Sequence, residues 1–177
     1  MNSKLSTLCA PLLALVACAH TYDVHSSPAS NGPLLPLGAS VLVGLPLDGH
    51  DGHSVYEGSG ALTAESIVAA LRRYTEAAEV AGIAETLEEY EARAREAGQQ
   101  FVLFPEIFVW KDRNTRRWGL PDLLELQLTL VDVATGEVLD TTTISASSRI
   151  GLSWDDRPQD LLPVPLEGYA ARIFQDR

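Results

Sequence analysis

Six consecutive residues, Asp48-Gly49-His50-Asp51-Gly52-His53, gather two imidazoles and two carboxylates, the side chains that bind Zn²⁺ or Cu²⁺. Used that way, Asp48, His50, Asp51 and His53 would form a metal site, or the start of a hydrolytic one. The spacing works against it. The His-x-x-His pair sits among glycines, which build loops rather than hold ligands on a rigid scaffold, and no remote third ligand stands out in the chain. The preferred reading is a polar turn. Gly58-Ser59-Gly60 matches neither the phosphate-cradling P-loop pattern nor the G-x-S-x-G nucleophile elbow, and reads as a hinge before a helix. No Ser-His-acid set and no carboxylate pair suited to glycosidase chemistry can be assigned. The expectation is therefore no catalytic residue and no cofactor.

Binding chemistry is concentrated elsewhere. Lys111-Asp112-Arg113-Asn114-Thr115-Arg116-Arg117-Trp118 puts four basic residues into seven positions of a chain whose formal net charge is −11. Arginine beside tryptophan is the composition enriched where interfaces carry most of their binding energy. Arg113, Arg116, Arg117 and Trp118, with Trp154 as a second anchor, are the expected interaction residues. The competing reading is a solvated loop with an internal Asp112-to-arginine ion pair. Trp110 ends an apolar run and is expected to be packed.

Cys18 carries different chemistry. A short n-region with the single charge Lys4 precedes an apolar run interrupted by Pro11, too short to span ~30 Å of hydrocarbon. Leu15-Val16-Ala17-Cys18 resembles the bacterial lipobox, in which the thiol receives a diacylglyceryl group and then becomes the first residue of the mature chain. Residues 1–17 are thus expected to be a signal peptide. Two or three acyl chains on Cys18 would give firm anchoring in a bilayer, at ~0.8 kcal/mol per buried CH₂. Ala19, where an aspartate would signal inner-membrane retention, favours the periplasmic face of the outer membrane. Cys9 would leave with the signal peptide, so no disulfide is expected in spite of the oxidising compartment.

Cleavage before Cys18 leaves 160 residues, one domain's worth of chain, and removes Lys4, taking the net charge to −12. That balance excludes a nucleic-acid partner resting on charge. Residues 18–38, rich in Ser, Pro, Gly and Asn and without apolar periodicity, read as the lipidated cysteine and a flexible tether; residues 39–177 read as the folded domain.

Within that domain, Ser40–Pro46 reads as a buried strand. A helix is expected from Thr63, with Ala64, Ile67, Val68 and Leu71 on one face. A short strand near residues 78–81 follows, then a helix over 83–97 with Glu89–Arg93 and Glu91–Arg95 pairs and Gly98 at its end. Phe101–Trp110 is too apolar for anything but a core strand, with Pro105 demanding a bulge or an edge. Leu124, Leu126, Leu128 and Leu130 alternate with Glu125, Gln127 and Thr129, and a turn at Thr135-Gly136 closes a hairpin over residues 123–147. Leu166, Tyr169, Ala170 and Ile173 complete a C-terminal helix. The order β-α-β-α-β-β-β-α defines a single α/β domain on a mixed sheet.

The segments VLFPEIFVWKDRNTRRWGLPDLLELQLTLVDVATGEVLD and RPQDLLPVPLEGY resemble a family of proteobacterial lipoproteins known as a domain of unknown function. The matching positions are Trp110, Asp112-Arg113, Thr115, Trp118, Asp122, the turn from Asp132 to Gly136, Gln159 to Leu162 and Pro165-Leu166, and the resemblance spans roughly residues 40–174. At the level of fold, the chain is similar to the amino-terminal domain of TolB and to CsgG-like secretion lipoproteins. Fold alone does not give activity. Together these readings predict a non-enzymatic accessory or assembly module of the cell envelope, bound to the bilayer through Cys18 and to an envelope protein partner.

Overall fold

Alternation of leucine with polar residues gives the sheet its centre. In the computed structural model, which describes residues 20–28, 34–52, 54–113, 120–148 and 157–174, Leu124, Leu126, Leu128 and Leu130 lie on one face of a long strand and are all but inaccessible to solvent. Burying each contributes about 1.5–3 kcal/mol. The strands are β1 (Thr21–Pro28), β2 (Val41–Val43), β3 (His50–Asp51), β4 (Ser54–Val55), β5 (Ala78–Val80), β6 (Phe101–Lys111), β7 (Leu123–Asp132) and β8 (Val138–Ser147). The helices are α1 (Ser59–Leu71), α2 (Leu87–Ala97) and α3 (Pro163–Ile173), with a 3-10 turn over Pro158–Leu161.

Six strands form one mixed sheet in the order β1-β8-β7-β6-β2-β5. β2 runs parallel to β5 and β6, and the remaining pairs are antiparallel. Helices α1 and α3 cover one face, packing Ile67, Leu71, Leu166 and Ile173 against Val41, Leu103 and the β7 leucines. Helix α2 covers part of the other, setting Tyr90 and Ala94 on Leu42, Val102 and Val131. The α/β class, the mixed sheet, the β7–β8 hairpin and the C-terminal helix are as the periodicity implies. Pro105 lies past the three-residue pairing of β6 with β2, where its missing N–H costs no ladder bond, and the β6 bulge follows at Phe108.

Four details depart from the pattern-based expectation. Residues 21–28 do not belong to a free tether: they form edge strand β1, in register with β8 from Thr21↔Ser147 to Pro28↔Asp140. Leu35 is buried and the amides of Leu34 and Leu35 both donate to the Ile173 carbonyl, so the folded part begins before residue 39. Backbone pairing along an exposed edge needs no apolar alternation, which is why β1 carries none. Helix α1 starts at Ser59 rather than Thr63; Thr63 is inside it, its hydroxyl donating to the Ser59 carbonyl. Helix α2 starts at Leu87, because Thr86 and Glu89 form a capping box, with the Thr86 amide donating to Glu89 Oε2 at 2.8 Å. Finally, Arg93 bonds Glu85 rather than Glu89, and Arg95 donates to the Val133 carbonyl, so the helix-face ion pairs give way to bonds that tie α2 to its neighbours.

Candidate functional site

The chain leaving β2 is held by its own acid. Asp48 Oδ1 accepts from the Gly60 amide at 2.8 Å and Oδ2 from the Gly58 amide at 3.1 Å, so its carboxylate satisfies N–H groups at the start of α1 and meets the positive end of the helix dipole. Ser59 Oγ accepts from the Gly49 amide at 2.8 Å, drawing the loop against the helix. The approach is so close that a Cβ on Gly60 would lie 2.2 Å from the Pro46 carbonyl oxygen. Gly58-Ser59-Gly60 is therefore the helix start itself and not a hinge.

Three of the four residues considered for a metal lie among the described ones, and each has its own surroundings. Asp48 is committed to α1, Asp51 pairs with Lys111 Nζ at 3.3 Å, and exposed His50 pairs with Val55 in the β3–β4 hairpin; His53 lies outside the described residues. Among the described residues no three His, Cys, Asp or Glu side chains come together as a metal site.

Sequence patterns did not reveal what the same loop builds with α2. A groove of about 500 Å³ opens between residues 45–50, the entry to α2 and β6. It is lined by the apolar side chains of Leu45, Pro46, Phe104, Ile107 and Phe108 together with acidic Glu85, Glu89 and Glu106. Arg93 holds the Glu85 carboxyl below its ordinary range through their hydrogen bond. Buried Tyr90 joins the two walls: its hydroxyl accepts from the Leu45 amide at 2.9 Å and the Glu85 amide at 3.1 Å, and donates to the Ile83 carbonyl at 2.8 Å. A Cβ on Gly44 would sit 2.9 Å from the tyrosine ring, so glycine there admits the clamp. Tyr90→Phe should cost about 1–3 kcal/mol, since two part-buried amides lose their acceptor. Denaturant unfolding measures the loss, and faster amide exchange at Leu45 and Glu85 would locate it.

The basic segment begins and ends at a second buried clamp. Asp122 is fully buried; its Oδ1 accepts from the Arg113 amide at 2.7 Å and its Oδ2 from the Ser148 hydroxyl at 3.1 Å. In return the Asp122 amide donates to Ser148 Oγ at 2.8 Å and the Ser148 amide to the Asp122 carbonyl at 3.1 Å. Arg113, Asp122 and Ser148 are thus fixed side by side where β6 ends, β7 begins and β8 ends. Trp110 is packed, at 3% exposure, as its place at the end of an apolar strand implies. Arg116, Arg117, Trp118 and Trp154 fall outside the described residues, as does Cys18.

The described residues define an α/β domain with a six-stranded mixed sheet, in which part-buried Asp48 and buried Asp122 each hold backbone amides where an element starts or ends. Its family is shown directly: residues 34–173 match the domain of unknown function DUF4823, and the chain belongs to that family. Among solved structures it is similar to the PelC dodecamer from Paraburkholderia phytofirmans, with 16% identity, a TM-score of 0.67, and coverage of 89% of this chain and 99% of that one. The L103M variant of the same PelC gives 18% identity and a TM-score of 0.64, covering 86% and 100% of the two chains. Protein XCC0632 from Xanthomonas campestris, of family DUF330, gives 14% identity and a TM-score of 0.51, covering 84% and 89%. At these identities the likeness is one of fold. Comparison with curated proteins gives no match. Among the described residues no helix is long and apolar enough to cross a membrane.

Proposed function

We propose that this chain is a lipid-anchored protein of the bacterial envelope, acylated on Cys18 and held at the periplasmic face of the outer membrane as a non-enzymatic accessory or assembly module. The observation that carries the reading is the lipobox-like stretch Leu15-Val16-Ala17-Cys18 upstream of a DUF4823 domain that matches from residue 34. PelC from P. phytofirmans, which shares the fold, forms a dodecamer, and the proposal extends to a role within a larger envelope assembly. The likeness to TolB amino-terminal and CsgG-like domains belongs to the same proposal: a small α/β module presented to other envelope components. Metabolic labelling with a fatty-acid analogue, followed by crosslinking in intact cells and mass spectrometry, tests it. The expected result is a labelled peptide beginning at Cys18, together with a recurrent envelope protein crosslinked to the domain. An unlabelled Cys18 in the mature protein would overturn the anchor.

A further inference from the structure

Strand β1 closes one side of the sheet, and among the described residues no strand lies beyond it. The ladder decides which of its backbone groups point that way. The Ser148 amide donates to the Asp122 carbonyl, and these residues stand opposite each other one step past the Leu123↔Ser147 pair, as a hydrogen-bonded pair of an antiparallel ladder. Alternation then turns the backbone of Ser147, Ser145, Thr143 and Thr141 away from β7 and toward β1, where it meets Thr21, Asp23, His25 and Ser27. Val24 and Ser26 therefore present their N–H and C=O groups outward. Two features agree with this. The Ser26 and Thr142 hydroxyls approach to 2.8 Å, as side chains of a non-hydrogen-bonded pair do, and Pro28, which has no N–H, falls in the outward set.

An edge of this kind is a template for another strand unless it is blunted. Strand β1 keeps register with β8 over eight residues without a bulge and carries no lysine, so two common blunting devices are missing. Its sequence is complementary to itself. Set antiparallel to a second copy with Val24 opposite Val24, the two valines exchange both backbone bonds, Asp23 faces His25 on each side of the centre, and Thr21 faces Ser27. Centring the pair on Asp23 or His25 instead would set carboxylate against carboxylate or imidazole against imidazole, which disfavours those registers. The β8 residues beside Asp23 and His25 are Ser145 and Thr143, so β8 adds no charge to the seam. Val24 is 44% exposed although Ile144, its neighbour on β8, is fully buried; a second copy would cover it and continue that apolar face.

We propose that β1 is a self-pairing edge: two copies of this chain join β1 to β1, antiparallel about Val24, so that one continuous sheet runs through both domains. The proposal uses residues of β1, β7 and β8 alone, and it stands whether or not Cys18 is acylated.

Val24→Cys in the full chain tests it. In a hydrogen-bonded antiparallel pair the Cα atoms lie about 5.5 Å apart, inside the span of about 4.4–6.8 Å that a disulfide bridges. Mild oxidation should give a covalent dimer whose 24-to-24 peptide is identified by mass spectrometry, so that links through Cys9 or Cys18 are not counted. Because pairing raises the local thiol concentration, it should form roughly tenfold faster or more than the corresponding link of Ile83→Cys, a residue 55% exposed elsewhere on the domain. Adding His25→Asp, which sets carboxylate opposite carboxylate, should slow it severalfold. Val24→Pro, whose lost N–H points away from β8, should keep the fold by thermal unfolding yet sediment in detergent as a monomer where the wild-type chain sediments as a dimer. A 24-to-24 link no faster than the Ile83 control overturns the proposal, as does a wild-type monomer in sedimentation or a link from position 24 to a different protein, which would give the edge to another chain's strand.

Discussion

Arg172→Ala should destabilise the domain by about 3–5 kcal/mol, the range for a buried carboxylate stripped of its cation. Asp140, at the start of β8, is fully buried, and Arg172 near the end of α3 reaches it with Nη2 2.7 Å from Oδ2 and Nη1 3.4 Å from Oδ1. The same Nη2 donates to Thr142 Oγ1 at 2.7 Å, Thr142 donates to Asp140 Oδ2 at 2.7 Å, and Ser26 of β1 bonds the Thr142 hydroxyl at 2.8 Å. One guanidinium thus joins α3 to β8 and, through Thr142, to the edge strand. Tyr169 packs under it with the cation 5.2 Å from the ring centre, and burial keeps the phenol neutral by raising its pKa far above the ordinary value. Asp140→Ala should cost less, about 2–3 kcal/mol, because the Arg172 side chain is 32% exposed and can turn to water once released. Thermal unfolding of the two variants checks the order. For a domain of this size, the larger loss corresponds to a midpoint about 6–20 °C lower. An equal or reversed order would show that the guanidinium, and not the carboxylate, is the costly group to leave alone.

The contrast between the β7 leucines and this ion pair marks how far sequence reading reaches. Leu124 through Leu130 declare their strand because one face is buried and the other wet, so the period of two is written in the residues. Leu166, Tyr169, Ala170 and Ile173 declare α3 in the same way. Strand β1 leaves no such mark: it lies at the edge, nearly every residue is exposed, and its order comes from backbone pairing to β8. Thr86 and Glu89 did carry a legible signal, the T-x-x-E capping box, which the apolar spacing of Ile83 and Leu87 obscured; Ile83 is in fact 55% exposed.

At the candidate site, composition marked two loops but could not assign their roles. Asp48 and Asp51 have the residue types of metal ligands, yet what surrounds them is set by contacts with α1 and with Lys111, which the local sequence does not encode. Asp140 and Arg172 are 32 positions apart, and Asp122 and Ser148 are 26 apart. Neither pairing follows from local pattern, since the first depends on how α3 packs on β8 and the second on which strand ends the sheet brings together. Tyr90 reads from sequence as one more apolar position on a helix face, and only the Leu45 and Glu85 amides reveal it as a clamp.

Cys18→Ser should move the protein from the membrane to the soluble fraction, or leave it as an uncleaved precursor, with complete loss of fatty-acid label. Thioether formation needs sulfur as the nucleophile, and a serine hydroxyl at that position does not substitute for it. With no acyl chain, a protein of formal net charge −11 is left before an anionic surface that repels it, an interaction screened within a Debye length. Even one acyl chain gives only reversible binding, so removal of all of them should leave no stable membrane pool. The fold should not register the change. β1 begins at Thr21 and is held by its pairing with β8, so unfolding of the Ser variant should stay within about 0.5 kcal/mol of the mature wild-type domain. Fractionation, labelling and thermal unfolding on one preparation therefore separate anchoring from folding. Label retained on the Ser variant would refute acylation at Cys18, whereas loss of label with the protein still on the membrane would show that a protein partner holds it there unaided.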